Sequence, residues 1–180
     1  MMRLGGLATI GLMLMTAPAA GFAADKPNTV PTETCTAKAP PPPELAAWNS
    51  PVDLPAAASE AGLAKAVLVP GKPITAQFMP VAGVNYRVKP EKADGPHVFG
   101  GLYALKITQA GTYRVASSAA PWMDVFAGTV PVKTAHFGRG PACSGDGKMV
   151  DFALQPGDYL VQFSESLQPK VEIMVARLGD

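Results

Sequence analysis

The chain has 180 residues, with 15 Lys+Arg against 14 Asp+Glu, and 18 Gly and 19 Pro. A formal charge near zero with no basic cluster argues against nucleic acid as a partner. Apart from the N-terminal apolar run, no segment has membrane-span length, and the Gly and Pro content suits short strands joined by many turns.

Arg3 precedes an apolar run over 4–17 that is short for a membrane span. Gly21-Phe22-Ala23 places small residues at the two positions a signal peptidase reads, with Ala19 as a second cut point. The segment 1–23 therefore reads as a signal peptide, and the protein as periplasmic or secreted. Loss of Arg3 leaves the basic residues equal in number to the 14 acidic ones. Cys35 and Cys143 then enter an oxidising compartment, where an even cysteine count favours one disulfide. The alternative is two free thiols with separate roles.

Residues 24–65 read as a Pro/Ala-rich tail. Pro27, Pro31, Pro51 and Pro55 interrupt it, and Pro40 to Pro43 form a polyproline stretch. The Ala-rich run 56–65 suits one or two helical turns, with Ser59 as the cap.

From residue 66 to 180 the pattern is β. Apolar alternation predicts strands over 66–69, 74–79, 84–89, 98–107, 113–117, 122–127, 130–137, 149–154, 159–164 and 171–178. Their spacing predicts an all-β, two-sheet antiparallel sandwich of eight to ten strands, jelly-roll-like in kind. Gly100-Gly101 marks a bulge or a corner. One phrase occurs twice: Gln109-Ala110-Gly111-Thr112-Tyr113-Arg114-Val115 and Gln155-Pro156-Gly157-Asp158-Tyr159-Leu160-Val161. In each, glycine makes a turn, and Tyr and Val then share one strand face, expected to be buried.

Three segments resemble the bacterial pre-peptidase C-terminal domain. They are 110–115, Trp122-Met123-Asp124-Val125, and 152–161 with its Leu-Gln-Pro-Gly-Asp-Tyr turn. The resemblance covers roughly residues 73–178. It implies a jelly-roll-like sandwich that is non-catalytic, either appended to a secreted enzyme or standing alone in the periplasm. The chain departs from the usual pattern in having no protease attached and in the added segment 137–148 around Cys143. It also resembles short exported proteins labelled homogentisate 1,2-dioxygenase, and that likeness implies a mononuclear iron enzyme.

Iron oxygenation needs two histidines and a carboxylate around one ion. The two histidines of the chain, His97 and His136, would both be required, with Asp124 or Glu91 as the third ligand. No local spacing brings a carboxylate alongside either. Asp124 suits calcium equally well through oxygen ligands, while Asp146, Asp151 and Asp158 lack EF-hand spacing. No Gly-x-Ser-x-Gly elbow occurs, and Gly138-Arg139-Gly140-Pro141 lacks the Lys-Ser/Thr of a phosphate loop. Trp122, Asp124 and Tyr103 are the candidate ligand-binding residues, with Phe126 as a further aromatic neighbour. The expectation is an exported binding module for a partner protein, an envelope polymer or a small ligand, with no catalytic residues and no cofactor. The alternative is a metal-dependent ring dioxygenase using iron at His97, His136 and Asp124.

The exported protein should begin at Ala24. Intact-mass measurement decides this; a full-length mass in the membrane fraction contradicts it.

Overall fold

Alternating apolar residues build two six-stranded sheets that face each other across one core. The computed structural model describes residues 35–90 and 98–179. The expected signal peptide, His97 and Glu91 lie outside the described residues. Among the described residues, twelve strands run in the order β1 (Val52–Pro55), β2 (Val67–Leu68), β3 (Ile74–Gln77), β4 (Met79–Pro80), β5 (Phe99–Ile107), β6 (Gly111–Ser117), β7 (Trp122–Ala127), β8 (Val130–Pro131), β9 (Thr134–Gly138), β10 (Lys148–Leu154), β11 (Gly157–Ser166) and β12 (Lys170–Arg177). The first sheet has the order β1-β3-β12-β6-β10-β9; the second runs β2-β5-β11-β7-β8, with β4 also on β5. The pairs β1–β3 and β2–β5 are parallel and the rest antiparallel, so both sheets are mixed.

Inward residues alternate as period two requires. Tyr113 and Val115, Val150 and Phe152, and Ile173 and Val175 face the core from the first sheet. Tyr103 and Leu105, Val161 and Phe163, and Met123 and Val125 meet them from the second. The repeated phrase opens a central strand in each sheet, β6 in one and β11 in the other. The Tyr113 hydroxyl donates to the Gln109 carbonyl at 2.8 Å, and Tyr159 donates to the Gln155 carbonyl at 2.9 Å. Each tyrosine therefore latches the turn that precedes its own strand. The two differ in depth: Tyr113 is buried, whereas Tyr159 at the mouth of its hairpin is only half-buried.

Three segments depart from expectation. Residues 84–89 are not a strand. They cross the outer face of the second sheet, where the Gln162 side chain stands in for a strand partner. Its Oε1 accepts from the Arg87 and Val88 amides, and its Nε2 donates to the Val88 carbonyl at 2.7 Å. The segment 130–137 divides into β8 and β9, which belong to different sheets. The domain also starts before residue 66. Val52–Pro55 pairs with β3, and Ala56 and Ala57 are core residues. Prolines at 51 and 55 hide this strand in the sequence, yet an edge position tolerates them. Glu60–Lys65 forms the expected helical turns, of the 3-10 type, but Ser59 makes no side-chain cap bond. Gly100 and Gly101 serve close approach: a Cβ at Gly100 would lie 2.1 Å from the Tyr86 hydroxyl, and one at Gly101 would lie 2.3 Å from the Ala56 Cβ.

The polyproline stretch belongs to a strap, residues 35–50, over the outer face of the first sheet. Leu45 and Trp48 are fully buried there against Ala116, Met174 and Ala176. Arg114 on the same face bonds Asp151 through Nε at 2.8 Å and Nη2 at 2.9 Å, and its Nη1 bonds Glu44 of the strap. The Cys35–Cys143 disulfide closes the strap, with its Cα atoms 5.5 Å apart across 108 residues of sequence. Beside it the Ala39 amide donates to the Cys143 carbonyl at 2.9 Å.

Alkylation should label two thiols only after reduction. The double change Cys35→Ser and Cys143→Ser should cost about 5 kcal/mol, the chain-entropy value for a loop near this length. An unchanged melting temperature overturns the view that the strap depends on its covalent closure.

Candidate functional site

Trp122 opens β7, where inward Met123 and Val125 turn Trp122, Asp124 and Phe126 to the outer face of the second sheet. The three share a face, as alternation requires, but not an environment. Phe126 is buried, with the Arg87 guanidinium 5.9 Å from its ring centroid. Asp124 is half-buried, and Trp122 is 56% exposed. The Trp122 Nε1–H donates to Asp124 Oδ1 at 3.2 Å. Lys148 places its Nζ 5.3 Å from the Trp122 ring centroid and donates to the Pro121 carbonyl at 2.8 Å. Burial raises the Asp124 carboxyl above its usual range, against the pull of the Trp122 hydrogen bond and the Lys148 charge. Burial likewise lowers the Lys148 ammonium.

Two clefts meet at Trp122. One, of about 320 Å³, is the more polar of the two: Asp124, Gln162, Glu165 and Lys89 line it together with Val88 and Pro90. The other, of about 350 Å³, lies at the seam between the sheets and is apolar, with Met123, Phe137, Val150 and Thr134 beside Lys148. Phe137, on the edge strand β9, is 74% exposed. Trp122 and Phe137, both exposed, line this cleft together, and a contiguous apolar patch rimmed by polar residues is a candidate interaction surface. Glu165 reaches the polar cleft from a register shift in β11 and holds φ at 57°. A bulge with a left-handed non-glycine residue is a common way to re-aim a side chain at a site.

Tyr103 does not belong to this site. It is fully buried, packs edge-on against Phe163 at 5.9 Å, and its hydroxyl crosses the core to the Leu54 carbonyl at 3.0 Å. It ties the second sheet to β1 of the first. Its position in β5 carries no sequence signal that separates it from a ligand-facing tyrosine. The residues that sequence reasoning missed are Phe137, Lys148, Gln162 and Glu165. Only Phe137, an aromatic beside glycine in a polar stretch, carried a local hint.

His136 and Asp124 stand on opposite outer faces of the sandwich, so they do not share an ion. Val150 and Phe152 point inward, which turns Asp151 and its register partner His136 outward on the first sheet. There His136 Nδ1 lies 3.6 Å from Asp151 Oδ2. Asp124 faces outward from the second sheet. The ligand set His97, His136 and Asp124 is thereby corrected at its second and third members, and His97 lies outside the described residues. Among the described residues, no group of three or more His, Cys, Asp or Glu side chains is placed to hold a metal.

A second polar cluster lies under the strap. Asp146 is 6% exposed, and neither carboxylate oxygen has a hydrogen-bond partner among the described residues. Ser144 is adjacent, but its single hydroxyl proton goes to the Pro141 carbonyl at 2.7 Å. The Trp48 Nε1–H is buried nearby and equally unpartnered. Burial raises the Asp146 carboxyl above its usual range. No family model matches the chain, and no curated protein matches it.

A raised folded-state pKa means that ionised Asp146 opposes folding. That cost is full above the folded pKa and absent below the unfolded one. Asp146→Asn should therefore raise the melting temperature at pH 7, by the equivalent of about 1 kcal/mol. The gap to the parent protein should close as pH falls through the raised pKa. A gap that stays constant or widens toward acid contradicts the assignment.

Proposed function

We propose that the chain is a non-catalytic binding module of the pre-peptidase C-terminal type, acting after export, with the Trp122 ridge as its binding surface. The observation that carries this reading is an indole that is exposed yet held, between a polar and an apolar cleft. Ligand sites combine an apolar surface with a few fixed polar groups, and this is the arrangement around Trp122. The two-sheet sandwich, closed by a disulfide, supplies a rigid scaffold beneath it. The disulfide supports a life in an oxidising compartment. Among the described residues no helix is long and apolar enough to cross a membrane. The partner classes are an envelope protein, an envelope polymer or a small ligand.

Retention of the purified, disulfide-bonded protein on washed envelope material tests the reading. Trp122→Ala with Phe137→Ala should release it at least about tenfold more readily, with the melting temperature unchanged. Equal retention of the variant and the parent removes Trp122 from the function. Iron bound in stoichiometric amount and lost on His136→Ala, with oxygen uptake on an aromatic diol, replaces the binding reading with the enzymatic one.

A further inference from the structure

We propose that the Trp122 ridge binds a neutral saccharide, an inference that rests on the binding-module reading and names its ligand class. Three observations carry it.

The first is preorganisation. An exposed tryptophan ordinarily keeps its rotamer freedom and loses it on binding. Here the indole is pinned through Nε1 to Asp124 and flanked by a Lys148 ammonium that is itself tied to the Pro121 carbonyl. The ring is already ordered while more than half its surface meets solvent. A flat apolar face held in this way suits a flat apolar partner.

The second is charge. Among the described residues, the two clefts carry two cations, Lys89 and Lys148, and two carboxylates, Asp124 and Glu165. Their sum is zero. An anionic ligand meets two carboxylates and a cationic ligand meets two ammonium groups, so no ligand charge is favoured.

The third is the mixture of surfaces. A purely apolar ligand, such as an aromatic side chain, fills the seam beside Phe137 and Met123. It would also desolvate the rim at Asp124 and Glu165 without offering hydrogen bonds, which is costly. The ligand therefore needs a flat patch of C–H groups for the indole and a perimeter of hydroxyls, able to donate to carboxylates and accept from ammonium groups. A pyranose ring has this anatomy: axial C–H groups on one face and hydroxyls around the edge. Each cleft is at the small end of ligand-pocket sizes, about 300–1,000 Å³, which suits one or two sugar rings.

The chain has two tryptophans, and Trp48 is fully buried under the strap, so a ligand-induced change in intrinsic fluorescence reports Trp122. The mature, disulfide-bonded protein is titrated to millimolar concentration with neutral cello-, chito-, malto- and xylo-oligosaccharides. Polygalacturonate serves as an anionic glycan and anilinonaphthalene sulfonate as an apolar probe. At least one neutral series should give a saturable shift. Trp122→Ala should weaken its binding, followed by calorimetry, at least about tenfold, with Trp122→Phe intermediate and both melting temperatures unchanged. Preference for polygalacturonate, or neutral-sugar binding that survives both substitutions, overturns the saccharide assignment. If no glycan binds while the apolar probe binds in a Trp122-dependent way, the saccharide class fails and the binding surface stands. If neither the glycans nor the apolar probe binds at Trp122, the saccharide class fails, and the binding surface fails with it when retention on envelope material is also independent of Trp122.

Discussion

Arg114 stands on the outer face of a sheet and is nevertheless mostly buried, its side chain 16% exposed. A guanidinium in that position must be paired, because removing one partner of a buried ion pair costs about 3–5 kcal/mol. Asp151, its register partner on β10, takes two of its N–H groups, and Glu44 takes a third. Glu44 comes from the strap. The strap can therefore lie on this face only in the register that delivers Glu44 to Arg114. That register sets Leu45 and Trp48 against Ala116, Met174 and Ala176. The ion pair selects the alignment, and apolar burial supplies most of the attraction.

The second sheet is covered by the same logic with a neutral group. Gln162, fully buried, offers an amide to the backbone of Arg87 and Val88 and so accepts a chain segment that is not a strand. Tyr86 adds a bond from its hydroxyl to the Phe163 carbonyl, reached across Gly100. Among the described residues, the covering segment runs on to Val88, Lys89 and Pro90, which line one wall of the cleft beside Trp122.

Much of the sandwich could be read from alternation alone. Strands β5, β6, β7, β10, β11 and β12 place their core-facing residues in period two, and the repeated Gln-x-Gly-x-Tyr-x-Val phrase marks the central strand of each sheet. What alternation could not show is what lies outside the sheets. The strap looks like a spacer because its prolines exclude strand and helix. Its anchors, Leu45 and Trp48, are two apolar residues without period. The segment 84–89 alternates like a strand, yet its partner is one glutamine side chain far along the chain. At the site, Trp122 and Asp124 were legible as a pair on one face. Tyr103 was not separable from them, because a tyrosine that crosses the core to a backbone carbonyl has the same local pattern as one that faces a ligand. Lys148 and Glu165 come from β10 and β11, and their meeting at Trp122 is tertiary.

The disulfide also governs how the domain carries mechanical load. Tension applied between the two ends of the chain enters at Cys35 and passes directly through sulfur to Cys143. Everything between those residues, including both tyrosine-latched turns' first copy, the strap and the entry to β7 with Trp122, lies in a covalently closed ring and is shielded from extension. Among the described residues, only the stretch beyond Cys143 can lengthen, at about 3.5 Å per residue. A module held at one end and pulled at the other would give up β10, β11 and β12 as its extensible part, while the backbone around its tryptophan stayed at constant contour length.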